Sequence, residues 1–322
     1  MKKPLIKIEA LKKYYPVKKG LFYKTVGWIK AVDGISLEIE QGKTLGLVGE
    51  SGCGKTTLGR SILRLLEPDS GKIFFDQKEI TKISNRQMRS LRKDMQIVFQ
   101  DPFNSLDPRF TVGRIISEGL GFFGQLSKRE IQKQVAQLLE VVGLSRDAAN
   151  RYPHSFSGGQ RQRIGIARAI SLRPLFLVLD EPISSLDVSV QAQIINLFYD
   201  LQEQFSLTYL FITHDLNVTR TFCDQVAVMY LGQIVEKAPN LELFAGPLHP
   251  YTQALLSAVP VSDPKDRKNR SRLRGEVTSG LKLPSGCRFR TRCPKAMDVC
   301  ARHQPVLKQA SPGHYLSCHL VN

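Results

Sequence analysis

The 322-residue chain carries 46 Lys and Arg against 29 Asp and Glu, a net charge of +17, and its 42% hydrophobic residues suffice for one large domain with an appendage or two modest ones. No run reaches the roughly 18 apolar residues that span a bilayer, and the N-terminal MKKPLIKIEA lacks the apolar stretch of a signal peptide, so we expect a cytoplasmic chain unless a partner holds it at a membrane. A basic balance of this size attracts nucleic acid, nucleotides or anionic lipid heads, or simply solvates a surface, and does not choose among them.

The first informative stretch is TLGLVGESGCGKTT, residues 44–57. Its apolar run, residues 45–48, reads as a buried strand. The run leads into Gly49, Glu50, Ser51, Gly52, Cys53, Gly54, Lys55 and Thr56, a full G-x-x-x-x-G-K-[ST] pattern with Thr57 behind it. The glycines let the backbone curl so that successive N–H groups face one anion, and a helix starting near Lys55 adds the positive end of its dipole. In such a loop the Lys55 ammonium reaches the β- and γ-phosphates, and the Thr56 hydroxyl ligates Mg²⁺. Cys53 occupies a variable position and reads as a bystander. A chance match in a chain of this length has a probability on the order of one in a hundred. The amphipathic LGRSILRLLE that follows, a predicted helix, lowers it further. These residues read as a phosphate-binding loop.

QIVFQ, residues 96–100, is the next apolar strand. Residues 101–164 hold no comparable strand and read as helices, among them KREIQKQVAQLLEVVGL with apolar residues at helical spacing and Gly143 near its end. LFLVLDE, residues 175–181, is a buried strand closing on two acids. Asp180 is placed to hold Mg²⁺, directly or through water. Glu181 is placed as general base on the lytic water, a role contributing about 10²–10⁴-fold. Alone, such a strand could merely end in exposed acids; paired with a phosphate loop it reads as the second half of a triphosphatase. TYLFIT and QVAVMY supply further strands. The alternation predicts an α/β fold, a mostly parallel sheet wrapped by helices.

Together these stretches resemble the nucleotide-binding subunits of ABC transporters over nearly the whole chain. Phe156-Ser157-Gly158-Gly159-Gln160 resembles the family's signature, with Phe where Leu is usual. Gln100 resembles the Q-loop glutamine, which touches Mg²⁺ and senses the transmembrane partner. Ser185-Leu186-Asp187 matches the D-loop, and His214 in FITHD matches the switch histidine. Tyr15 in LKKYYPV stands where an aromatic stacks on adenine, with Tyr14 as the alternative. The resemblance implies a P-loop NTPase (RecA-like) ABC ATPase core at residues 1–100 and 165–240, with a helical signature subdomain at residues 101–164. It makes Ser157 and its glycines, ahead of the helix GQRQRIGIARAI, a second anion site. In the family two subunits pack head to tail, so that each ATP lies between one loop and the other chain's signature. Ile183 and Ser185 depart from the commoner Thr and Ala, yet no charge or phosphate donor is lost. An active ATPase is expected.

The character changes after residue 240. HPYTQALLSAVP predicts a short helix over residues 251–258, and SDPKDRKNRSRLRGE, residues 262–276, is a basic connector. Four of the six cysteines follow, Cys287, Cys293, Cys300 and Cys318, spaced C-x₅-C-x₆-C-x₁₇-C. In a reducing compartment clustered thiols suggest metal before disulfides. The spacing lacks the close pairs of zinc ribbons and leaves a [4Fe–4S] cluster, Zn²⁺ or no metal open. His303, His314 and His319 are alternative ligands, more simply read as surface residues. Few large apolar side chains occupy residues 276–322, so the segment calls for a staple, and it is expected to take no part in hydrolysis.

HPYTQAL and the cysteine-bearing tail resemble the C-terminal extension, here residues 241–322, of the oligopeptide/dipeptide transport branch. The resemblance implies import of short peptides, or of nickel or another small solute as in some relatives, and a [4Fe–4S] cluster as in some transporters of the branch. It also implies two transmembrane permease subunits, a paralogous second ATPase, an extracytoplasmic solute-binding protein and a place on the cytoplasmic face of the inner membrane. A soluble ABC ATPase acting on nucleic acid or ribosomes is the competing class. Such proteins carry two cassettes or a long coiled coil, and neither occurs here, so no nucleic-acid partner is expected.

Overall fold

The computed structural model describes residues 3–20, 23–101, 105–123, 126–258 and 283–321. The basic connector at 262–276 lies outside them. The chain divides into two compact units. The first comprises Met1–Leu5, Glu40–Lys43 and Lys82–Ile212, and the second Ile6–Ile39, Thr44–Thr81 and Thr213–Asn322.

The second unit opens with two long strands, β1 (Pro4–Lys19) and β2 (Lys24–Glu40). Then come β3 (Thr44–Val48), helix α1 (Lys55–Ile62), β4 (Ser70–Phe75) and β5 (Lys78–Glu79). The four-stranded sheet runs β2-β1-β4-β5. Towards its end β2 alternates buried and exposed residues, with Leu37 and Ile39 inward and Glu38 and Glu40 outward, the period of a sheet covered on one face. β3 is buried at every residue.

In the first unit, α2 (Asn85–Leu91) precedes β6 (Met95–Val98). Helices α3 (Val112–Phe123), α4 (Lys128–Val141) and α5 (Gly158–Ile170) fill the region where only helices were expected. A capping box starts α4: the Glu130 N–H donates to Ser127 Oγ, and Ser127 N–H donates back to the Glu130 carboxylate at 2.8 Å. Gly143, at φ 73°, follows its end. β7 (Phe176–Asp180), α6 (Val188–Phe205) and β8 (Thr208–Thr213) complete the unit. β6, β7 and β8 pair in parallel. Every residue of β7 and β8 is buried, which is why both read as continuous apolar runs.

The second unit resumes with α7 (Leu216–Phe222), β9 (Gln225–Tyr230) and β10 (Gln233–Pro239), then α8 (Asn240–Ala245) and α9 (Pro250–Ser257). Beyond residue 282 lie α10 (Asp298–Arg302), β11 (Lys308–Ser311) and β12 (His314–Leu316). β3 pairs in parallel with β9, whereas β9–β10, β10–β12 and β12–β11 are antiparallel. The sheet is thus mostly parallel across the core strands, as expected, and beyond β9 it continues through antiparallel β10 and two antiparallel strands of the tail.

The tail docks through polar groups. Glu236 is fully buried, and its carboxylate accepts from the N–H of Leu248 at 2.7 Å, the N–H of His249 at 3.0 Å and His314 Nε2 at 2.7 Å. Phe289, 1% exposed, stands 5.3 Å from the Tyr230 ring, 5.4 Å from Tyr251 and 5.6 Å from His249. Among the described residues no helix is long and apolar enough to cross a membrane.

Candidate active site

The phosphate loop leaves β3 through two positions only glycine can fill. Gly49 has φ 154°, and a Cβ on it would meet the Met229 carbonyl oxygen at 2.2 Å; Gly54, at φ 110°, would meet that of Ala31 at 2.0 Å. α1 begins at Lys55 with no side-chain cap bond and no acid in its first turn, so its own first turn supplies no negative charge to offset the positive dipole end. Lys55 is 5% exposed, and its ammonium donates to the carbonyl oxygens of Gly49 at 2.8 Å and Glu50 at 3.1 Å. Ser51 and Gly52 are exposed, and Thr56 and Thr57 half-buried. Cys53 is buried, and burial pushes its thiol above the ordinary range, as suits a packing residue.

Around this loop the tail supplies residues that no sequence motif marks. The Glu50 N–H donates to Tyr251 Oη at 2.9 Å, and the Glu50 carboxylate takes a bidentate pair of bonds from Arg292, 2.8 and 3.0 Å long. These bonds, against the opposing effect of burial, hold the Arg292 guanidinium further towards its charged form. Arg288 donates to Asp33 and to the Leu231 carbonyl, while the Tyr14 hydroxyl donates to the other oxygen of Asp33. Burial alone would raise the Asp33 carboxyl, yet the Tyr14 hydroxyl and Arg288 charge keep it below the usual carboxylate range. Burial, then the bond to Asp33, pushes the Tyr14 phenol up to about 12. Tyr15 is half-buried, its ring 5.8 Å from Lys13 Nζ. The one available signal was a pair of arginines four residues apart flanking a phenylalanine. His214 belongs to this unit and is exposed.

In the first unit, Asp180 ends β7 at 1% exposure. Glu181 adopts φ 47°, a left-handed conformation that non-glycine residues rarely take and that recurs where a site holds a side chain in place. Its N–H donates to the Ile212 carbonyl at 2.9 Å, and its carboxylate accepts from Gln100 Nε2 at 3.0 Å. The structure thus brings Gln100 and Glu181 together. Ser157 N-caps α5 in a capping box: Gln160 N–H donates to Ser157 Oγ, and Ser157 N–H to Gln160 Oε1 at 3.0 Å. Gly158 and Gly159 open that helix, and a Cβ on Gly159 would meet Val190 at 2.6 Å. Phe156 is 5% exposed with the Arg151 guanidinium 4.5 Å from its ring centre, so a large apolar side chain here packs where Leu is usual. Asp187 is exposed and occupies the N-cap position of α6 without a side-chain capping bond.

None of the four tail cysteines is in a disulfide. Cys287 donates its N–H to the Cys300 carbonyl at 2.8 Å. Burial pushes the Cys287 thiol up to about 11, with repulsion from Cys300, Cys318 and Cys293 adding to it. Cys293 and Cys318 are raised too, first by burial. Yet among the described residues no three His, Cys, Asp or Glu side chains converge to hold a metal ion. The geometry therefore does not itself support the expected centre. His314 is buried against Glu236 and His319 Nε2 lies 2.9 Å from the His303 carbonyl. The reading of His314 as a surface residue is corrected: it is 4% exposed on β12, which lies between β10 and β11, and its ring meets the buried Glu236 carboxylate.

Residues 32–184 match the family model described as ABC transporter, and residues 235–300 match oligopeptide/dipeptide transporter, C-terminal region. The oligopeptide transport ATP-binding protein AppF of Bacillus subtilis is 51% identical over 321 residues, covering 99% of this chain and 98% of that protein. A dimeric post-hydrolysis ATP-binding cassette, MJ0796 bound to ADP and Pi, superposes with a TM-score of 0.66 at 28% identity, over 73% of this chain and 98% of that one. CbiO1 of Clostridium perfringens, part of an ABC transporter complex, gives 0.65 at 31% identity, over 75% and 91%.

Proposed function

This chain belongs to the ABC transporter ATP-binding family, in its oligopeptide/dipeptide branch, and from that membership we propose that it hydrolyses ATP to energise import of di- and oligopeptides. The observation that carries the reading is the phosphate loop and the branch-specific C-terminal region in one chain, alike over its full length to a peptide-transport ATPase.

In this reading Lys55 exchanges its two carbonyl partners for β- and γ-phosphate oxygens. The loop N–H groups and the α1 dipole hold the phosphates, and Tyr15 stacks on adenine, with Tyr14, whose hydroxyl donates to Asp33, as the alternative. Thr56, Gln100 and Asp180 would hold Mg²⁺, whose charge offsets that building on the phosphate oxygens. Glu181 takes a proton from the attacking water, with Gln100 fixing its carboxylate, and His214 serves as the switch histidine. Ser157, Gly158, Gly159 and Gln160 serve the ATP of a second subunit, with Asp187 beside them. The dimeric MJ0796 cassette supports such pairing.

The proposed partners are a paralogous ATPase, two permease subunits and an extracytoplasmic solute-binding protein, with this chain on the cytoplasmic face of the inner membrane. A [4Fe–4S] centre on Cys287, Cys293, Cys300 and Cys318, with Zn²⁺ as the alternative, is the proposed staple of the tail. Its support is the soft four-thiol donor set and the resemblance of the tail to that of the oligopeptide/dipeptide branch. Nickel or another small solute is the alternative cargo. Reconstitution with the co-purifying membrane subunits tests the function. ATP-dependent uptake of labelled peptides is expected; recovery of ribosomes or DNA in place of membrane subunits would overturn it.

A further inference from the structure

A loop built to bind a polyanion carries a carboxylate at its second position. Glu50 is not turned to bulk solvent: its side chain is 22% exposed and that of Arg292, its partner, 7%. Unpaired, an anion so close to the loop N–H groups would repel incoming phosphate, and partial burial would strengthen the repulsion. Arg292 prevents this with a planar, two-pronged contact, the geometry that fixes a carboxylate's direction as well as neutralising it. Tyr251 accepts from the N–H of the same residue, so both backbone and side chain of Glu50 are held by the C-terminal segment. Phe289, buried among Tyr230 and Tyr251, sets the segment that presents Arg292.

We propose that Arg292 is a positioning residue for nucleotide binding: it is the counter-ion that neutralises Glu50 and turns it from the phosphate cradle. The inference rests on the ATP-binding reading of the loop. It gives the tail a part in the ATP site, against the expectation from sequence. Buried ion pairs add little net stability against apolar replacements, so what this pair contributes is direction and charge balance.

The test measures binding of the fluorescent analogue mant-ATP to the full-length protein, with melting temperatures recorded in parallel. Arg292→Met is expected to weaken binding on the order of tenfold. Arg292→Gln, which keeps a donor for Glu50 but removes the charge, should lose affinity in the same direction and serves if Arg292→Met does not fold. Glu50→Gln combined with Arg292→Met should recover affinity to within about threefold of wild type, because the repelling charge has gone with its partner. A purely structural role for Arg292 gives no such recovery. Single variants binding within twofold of a wild type that binds normally overturn the proposal, as does a double variant as weak as Arg292→Met. A wild-type chain that does not bind mant-ATP overturns the nucleotide reading itself, and the counter-ion with it.

Discussion

His249 makes docking of the C-terminal segment sensitive to acid, by an amount the structure allows to be worked out. The imidazole is 1% exposed, N-caps α9 by accepting the Tyr251 N–H on Nδ1 at 3.0 Å, and lies against Phe289. Burial lowers its pKa from 6.5 to about 4, with only the Ser317 backbone favouring the charged form. Protonation would also destroy the acceptor and set a cation at a helix N-terminus, so the direction has three causes. Since the unfolded chain binds the proton first, stability is intact above pH 6.5 and falls as pH drops from 6.5 towards 4. At about 1.4 kcal/mol per pH unit, the loss is about 2 kcal/mol by pH 5 and about 3 kcal/mol by pH 4. His249→Asn keeps an acceptor for the cap and removes the titration. Urea unfolding at pH 7.5, 6 and 5 should show wild type losing about 2 kcal/mol more than His249→Asn. All other titratable groups are common to both proteins and cancel. Equal losses in the two would refute the reasoning.

Glu181→Gln should reduce ATP turnover by about 10²–10⁴-fold and leave mant-ATP binding intact; unchanged turnover removes Glu181 as the base. Phe289→Ala empties the ring from the Tyr230, Tyr251 and His249 cluster and should cost about 3–5 kcal/mol, read as a lowered melting temperature and earlier proteolysis of the C-terminal segment. Anaerobically purified protein should absorb near about 400 nm and lose the band in Cys300→Ser, whereas a colourless protein with stoichiometric zinc would refute the cluster.

The parts of the fold legible in sequence were those whose physics is local. β3, β7 and β8 are buried on both faces and so read as unbroken apolar runs, and the loop at residues 49–56 declares itself because its glycines are required by backbone approach. β1 and β2 were not legible: their apolar residues are interleaved with charged ones on a sheet covered on one side. Candidate residues with a motif were found in the chain, but what holds them was not. Arg292 is 242 positions from Glu50, and no periodicity encodes a contact over that distance. The contact of Gln100 with Glu181, across 81 positions, was foreseen only as two separate motif members.

Poverty in large apolar side chains suggested that the tail needs a staple, and the fold supplies one of a different kind, independent of any metal. Glu236, His249, Arg288, Arg292 and His314 are all buried. Each has its hydrogen-bond partner in this unit, and each would leave an uncompensated polar group if that partner moved. Such a network resists partial occupation: β12 on β10, the Glu236 carboxylate on Leu248, His249 and His314, and Arg292 on Glu50 are satisfied together. Apolar contacts would let the segment slide at little cost. Directional buried bonds admit one register, and that register puts the Arg292 guanidinium on the phosphate loop. The same shortage of core that made residues 283–321 look like an appendage thus explains why their docking is specific enough to set the electrostatics of the loop.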